Sequence, residues 1–193
     1  VVYSQMARRA FPGVPVVLGG IEASMRRVAH YDYWEDKLKP SIMADAKADV
    51  LVYGMGEVPV REIVKRLQAG QRDFGGIRGT ALFLGAKATA GADFTDCIIL
   101  PSWEELQADS KHLMRLTKVV EAQQTPHCGK RLVQMHGNRA VLQEAQEFPV
   151  DGPDLAALYE LPFQRASHPS YTEPVPGFAT IKDSIIVSRG CAG

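Results

Sequence analysis

The sequence predicts an α/β fold, organised around the later part of a doubly wound parallel sheet with helices on both faces. Two observations lead to this prediction. Short runs of β-branched and aliphatic residues, each closed by glycine, alternate with segments of helical periodicity. Such continuous apolar runs are typical of strands buried on both faces, which right-handed helical crossovers connect. A length of 193 residues allows one large domain or one and a half small ones.

The first 70 residues predict the order helix, strand, helix, strand, helix. The helices are expected at residues 1–10, 41–48 and 57–69, and the strands at 15–20 and 50–53. The third helix is the best marked, because Glu57 and Pro59 suit a helix start, whereas Lys65 and Arg66 in the last turn and Gly70 beyond it suit a helix end.

The remaining chain predicts further strands and two helices. Strands are expected at residues 80–84, 97–101, 131–135, 139–143 and 184–188, and a short helix at 154–159. Ser102 and Glu105 form a capping box that opens a long helix, which Thr125 ends. Gly137 and Asn138 are typical of a two-residue hairpin turn. Residues 161–176 hold four prolines and predict an extended connector.

Composition excludes several classes of protein. Lys plus Arg and Asp plus Glu both number 22, so the net charge is zero and nucleic-acid binding by bulk charge is not expected. No apolar run approaches the length of about 20 residues that a membrane helix needs, and no secretory signal is visible. Three widely spaced cysteines make a poor disulfide framework, so we expect a reducing, cytoplasmic compartment.

Glycine turns after two of the predicted strands are the first candidate binding site. Gly19-Gly20 and Gly54-x-Gly56 lie where a parallel sheet binds ligands, yet neither completes a dinucleotide or phosphate-loop pattern. Tight turns without a ligand also explain the glycines, and we favour that explanation because isolated glycine pairs are weak signals. Glu22 and Glu57 follow these turns and could bind ligand hydroxyls, or could stabilise helix N-termini, which we favour for Glu57 in particular.

A second candidate is a polar and aromatic segment at residues 26–34, which combines two arginines with His30 and the aromatic residues of HYDYW. Arginines and aromatics can stack nucleic-acid bases. They can also form a packed cap over a sheet, held by cation–π contacts. The neutral charge of the chain favours the packed cap.

The cysteines differ in their surroundings. Cys97 lies in an apolar run and is expected in the core, and Cys128 lies in a predicted loop. Cys191 follows a predicted strand in the glycine-flanked sequence RGCAG, where the backbone leaves room for an iron–sulfur cluster. One cysteine cannot hold a cluster alone.

Taken together, several stretches resemble the YgiQ-type radical SAM family. The matching stretches include GGIEASMRRVAHYDYW, DVLVYGMGE, LPSWEELQAD, LVQMHGNRAV and SIIVSRGC, and they follow the family order over nearly all of the chain. The resemblance implies an internal fragment with three parts: residues 1–160, an N-terminal flavodoxin-like or cobalamin-binding-like α/β domain that lacks its start; residues 161–182, a connector; and residues 183–193, the first strand of a radical SAM partial (β/α) barrel.

The resemblance also implies a chemistry for the complete protein. Cys191 matches the first cysteine of the C-x3-C-x2-C pattern that holds a [4Fe–4S] cluster, and the other two would follow Gly193. The cluster would bind S-adenosylmethionine and cleave it to a 5′-deoxyadenosyl radical, with an electron donor and an unidentified substrate as partners. This chain alone, with one of three ligands, is expected to be inactive.

An alternative is a non-enzymatic module that binds a nucleotide-like or cobalamin-like ligand at the glycine turns, with Cys191 incidental. Gly19-Gly20 matches the place where related domains hold the nucleotide tail of cobalamin. The histidine that binds cobalt in those domains would precede Val1, so cobalamin is the less favoured ligand.

Overall fold

The computed structural model describes residues 1–186, and the chain divides into two compact units. Unit 1 is Val1–Val150, and unit 2 begins at Asp151. Unit 1 contains a six-stranded sheet and a separate two-stranded one. The strands are β1 (Val17–Leu18), β2 (His30–Asp32), β3 (Lys37–Lys39), β4 (Val50–Val52), β5 (Thr80–Leu84), β6 (Ile98–Ile99), β7 (Leu132–His136) and β8 (Arg139–Gln143).

Helices cover the large sheet on both faces. Those of unit 1 are α1 (Val2–Ala10), α2 (Gly20–Met25), α3 (Ile42–Ala46), α4 (Glu57–Gln68), α5 (Ala86–Ala90), α6 (Trp103–Ala108) and α7 (His112–Ala122). The helix predicted after Gly56 is confirmed, with Glu57 in its first turn and two basic residues in its last. Helices and strands are interspersed along the chain, which confirms the α/β class.

The sheet is mixed: the parallel pairing predicted for the first two strands and the predicted hairpin are both present, but the parallel arrangement does not continue into β5. Its strand order is β1-β4-β5-β8-β7-β6, and only the outer pairs β1–β4 and β6–β7 are parallel. The reversal begins after α4, a helix about 18 Å long. Residues 71–79 can extend about 30 Å, which lets the chain return along the helix and start β5 at the edge where β4 ends. β5 therefore pairs antiparallel with β4.

Buried side chains alternate between the two faces of the central strands. Leu51 and Tyr53 belong to the core beneath α2, α6 and α7, whereas Val50 and Val52 pack with Ile63 of α4 on the opposite face. The sheet is therefore the middle layer of unit 1, as the continuous apolar strands predict.

The long helix predicted from Ser102 is divided in two. The capping box is confirmed, since Glu105 donates its backbone N–H to the Ser102 hydroxyl and its carboxylate accepts from the Ser102 N–H. At Asp109 the backbone becomes extended, and its carboxylate accepts from the N–H of Lys111 at 2.9 Å. This local hydrogen bond competes with helical geometry and ends α6.

The described residues of unit 2 form two short helices, α8 (Gly152–Tyr159) and α9 (Phe178–Ile181). The Asp151 carboxylate caps α8 through the N–H of Asp154 at 2.9 Å. The strand expected at residues 184–188 does not form at 184–186, and its last two residues lie outside the described part of the chain. Within residues 1–186, no helix combines the length and apolar character needed to cross a membrane.

Candidate functional site

The two glycine turns meet at one edge of the sheet. β1 and β4 are adjacent and parallel, with Val17 opposite Val50 and Leu18 opposite Leu51, so both turns follow strand ends on the same side. Gly20 has φ 86° and Gly54 has φ 70°, values that glycine adopts without strain. The sequence therefore placed both turns at a common edge correctly.

The glycine turns do not form an enclosed binding pocket among the described residues. A Cβ on Gly19 would lie 3.9 Å from the Val52 carbonyl oxygen, and one on Gly20 or Gly54 would have no other atom within 4 Å among the described residues. Gly56 differs, because a Cβ there would approach a Val52 methyl group to 3.3 Å. The first turn thus faces open space, and Gly56 lets α4 start close to its strand.

The two glutamates lie in first helical turns. Glu22 is exposed in α2 and forms an ion pair with Arg26 at 3.5 Å. Glu57 is the first residue of α4, where a carboxylate stabilises the positive end of the helix dipole. Their positions suit the helix-terminus interpretation of both residues.

A buried polar network lies next to the glycine edge, and sequence reasoning missed it. The Arg27 guanidinium donates from Nε to the Gln143 side-chain oxygen at 2.8 Å and lies 4.7 Å from the centre of the Tyr53 ring. The Tyr53 hydroxyl donates to the Glu144 carbonyl oxygen at 2.6 Å. The available signal was a glutamine in each of two largely apolar strands, LVQMH and RAVLQ.

Gln134, the buried glutamine on β7, binds the same segment of chain. Gln134 is fully buried, accepts from the Ala29 N–H at 2.7 Å and donates to the Pro101 carbonyl oxygen at 3.0 Å. Gln134 and Gln143 together fasten residues 27–29 to the face of the sheet. Buried backbone groups need such partners.

Burial changes the acid–base properties of this network. It raises the pKa of Tyr53 to about 12, so the phenol stays protonated at neutral pH. It lowers the pKa of Arg27 from its ordinary high value, because the guanidinium has lost water. Among residues 1–186, no carboxylate lies at ion-pair distance from Arg27, whose partners are the neutral groups of Gln143, Ser24 and Tyr53.

The polar and aromatic segment is partly the packed cap that its composition suggested. Arg27 is directed inward, and Asp32 is buried between the cations Arg26, 3.5 Å away, and Lys39, 3.3 Å away. The aromatic rings of Tyr33 and Trp34 lie on the surface, 4.9 Å apart. Base stacking by these exposed rings is the less favoured alternative, and it stays untested.

The cysteines within the described residues do not form a metal site. Cys97 is half-buried, with its sulfur 3.6 Å from an Asp96 carboxylate oxygen, and Cys128 is exposed. Residues 1–186 contain no group of three or more His, Cys, Asp or Glu side chains that could hold a metal ion. They therefore do not fit an iron–sulfur cluster. Cys191, the predicted cluster ligand, lies outside the described residues.

Comparisons with known proteins agree with the resemblance. The chain is 45% identical over 195 residues to a UPF0313 protein of Geobacter sulfurreducens, 40% over 194 residues to one of Methanocella arvoryzae, and 32% over 251 residues to one of Shewanella oneidensis. Each alignment covers the whole of this chain and 32% of the relative. The chain therefore spans about a third of the length of these curated relatives.

No solved structure matches the chain. Residues 1–184 match the family described as Radical SAM N-terminal, which is nearly the whole sequence. The chain therefore belongs to the Radical SAM N-terminal family and is part of a radical SAM family member.

Proposed function

We propose that this chain is part of an enzyme that cleaves S-adenosylmethionine at a [4Fe–4S] cluster to generate a 5′-deoxyadenosyl radical. The observation that best supports this proposal is the match of residues 1–184 to the Radical SAM N-terminal family. In this proposal residues 1–160 form an α/β domain, 161–182 a connector and 183–193 the start of the catalytic domain. The complete protein acts in the cytoplasm with an electron donor and an unidentified substrate.

Within this chain we assign the cluster-ligand role to Cys191. Iron–sulfur clusters are held by thiolates. Burial raises the pKa of the Cys97 thiol, which disfavours its thiolate, and Cys128 has no companion ligands in the described residues. Cys191 is the cysteine that carries the family resemblance.

Iron content of the complete protein tests the assignment. After anaerobic reconstitution, the wild type is expected to hold about four irons and four sulfides per chain. Cys191→Ala should lose them, together with the cleavage of S-adenosylmethionine. Cys97→Ala and Cys128→Ala are matched controls and should retain both. A Cys191→Ala protein that keeps about four irons would overturn the assignment.

The 193-residue chain itself gives a complementary test. We expect no stable cluster on it after the same reconstitution, since the described residues contain no group of three side chains that could hold a metal. About four irons bound per chain would contradict this expectation and would point to a ligand set different from the one proposed.

A second candidate function is binding of a nucleotide-like or cobalamin-like ligand at the glycine edge. The observation that favours it is the meeting of the Gly19-Gly20 and Gly54 turns beside open space. Titration of the chain with cobalamin, followed by absorbance, tests the cobalamin form. A saturable spectral change that Gly19→Val abolishes would support it, and an unchanged spectrum would remove cobalamin from consideration.

A further inference from the structure

A cleft of about 420 Å³ lies between residues 25–31 and helix α7 in unit 1. Its lining includes Met25, Arg27, His30, Leu113, Thr117 and Val120. The volume lies in the range of small-molecule sites. Most of the lining is apolar, which suits a ligand with a hydrocarbon or aromatic body.

Arg27 gives this cleft an uncompensated positive charge. The residue is 6% exposed, and its guanidinium has only neutral partners among the described residues. Buried charges in proteins are ordinarily paired, because an unpaired ion loses its hydration without a compensating charge. Two hydrogen bonds also leave several of the five guanidinium N–H donors for a further acceptor.

His30 adds a neutral ring to the lining of the cleft. Its Nδ1 lies 3.3 Å from the Val28 carbonyl oxygen, and since a carbonyl can only accept, Nδ1 carries the proton. Nε2 is then the unprotonated nitrogen, and it is buried with no hydrogen-bond partner in the described part of the chain. Burial lowers the pKa of His30, which keeps the ring neutral.

We propose that the cleft binds a small organic monocarboxylate with an apolar body. Its carboxylate compensates the charge of Arg27, and its body packs against Leu113 and Val120. The exposed carboxylate of Glu121 also lines the cleft, which disfavours ligands that carry two negative charges. This inference does not depend on the proposed cluster chemistry.

The probe is 3-(4-hydroxyphenyl)propionate, compared with its neutral amide. Both are titrated into the ¹⁵N-labelled 193-residue chain, and the amide signals of Ala29, His30 and Thr117 are followed. A charge-assisted hydrogen bond contributes enough that the carboxylate is expected to bind at least about tenfold more tightly than the amide. Equal affinities, or signal changes confined to residues away from the cleft, would overturn the proposal.

Two variants test the location of binding without disturbing the Arg27 network. Thr117 is exposed on α7 and lines the cleft, so Thr117→Trp fills the space and should weaken carboxylate binding by about tenfold or more. Arg139→Met removes an exposed cation that lies over Phe83, outside the cleft, and should leave the affinity unchanged. Wild-type affinity in Thr117→Trp, or an equal loss in Arg139→Met, would refute the site.

Discussion

Replacing Gln134 by leucine should destabilise unit 1 much more than its conservative volume change suggests. Gln134 is fully buried on the sheet face, where its amide joins the Ala29 N–H and the Pro101 carbonyl oxygen. Leucine fills the same space but can neither donate nor accept. Both backbone groups then remain buried without partners.

The magnitude follows from these two groups. Each buried backbone group without a partner costs about 1–3 kcal/mol. The greater apolar burial of leucine offsets about 1–2 kcal/mol. We therefore expect Gln134→Leu to lower the free energy of unfolding by about 2–3 kcal/mol, which lowers the urea midpoint by about 1–1.5 M for a slope near 2 kcal/mol/M.

Urea unfolding at pH 7 measures this loss, with Gln124→Leu as the control. Gln124 is exposed after α7 and its replacement should change stability by less than about 0.5 kcal/mol. Hydrogen exchange adds a local measurement, because the Ala29 N–H should exchange faster in Gln134→Leu. A loss below about 1 kcal/mol, with unchanged exchange at Ala29, would refute the reasoning that these bonds have no substitutes.

Three further predictions concern pH, packing and capping. The pKa of Tyr53 is raised to about 12, so as the pH rises above about 10 the unfolded chain loses the phenol proton before the folded chain does. The free energy of unfolding should therefore fall between about pH 10 and pH 12. Urea unfolding at pH 9 and pH 11 measures this loss, which should be smaller in Tyr53→Phe. Gly129→Ala should lower the free energy of unfolding by about 2 kcal/mol in the same assay, because the added Cβ would lie 2.6 Å from the Gln123 carbonyl oxygen. Gly91→Ala is the control and should leave stability unchanged, since its Cβ would lie 3.6 Å from the nearest atom. Ser102→Ala removes the cap of α6 and should lower the thermal midpoint through a loss of about 1 kcal/mol; an unchanged midpoint would contradict the capping argument.

Local signals predicted most of the elements in unit 1. The hairpin around Gly137-Asn138, the capping box at Ser102 and the strand Thr80–Leu84 all depend on residues near one another in the sequence, and each is present. The sheet order depends on which distant strands pair. Nothing in the composition of residues 71–79 indicates that they return along α4, so the antiparallel placement of β5 could not be predicted.

The candidate site divides in the same way. The glycine turns could be placed at one edge because both follow predicted strands, and the edge follows from parallel pairing of β1 and β4. Arg26 and Arg27 are indistinguishable in sequence, yet Arg26 pairs with Glu22 and Asp32 whereas Arg27 enters the core. What separates them is the direction in which the chain leaves α2.

The hydrogen bond between Arg27 and Gln143 explains why the chain leaves α2 in a fixed direction. Gln143 lies 116 residues further along the chain and reaches Arg27 only because β8 pairs with β5 in the centre of the sheet. Its amide oxygen satisfies Nε without neutralising the charge, so the bond fixes the position of the arginine and leaves its charge available. A glutamate at this position would form an ion pair with Arg27 and would remove the electrostatic reason for an anion to enter the cleft. Gln143→Glu should therefore retain the fold and lose the preference for carboxylate over amide, an effect that a purely structural arginine would not produce.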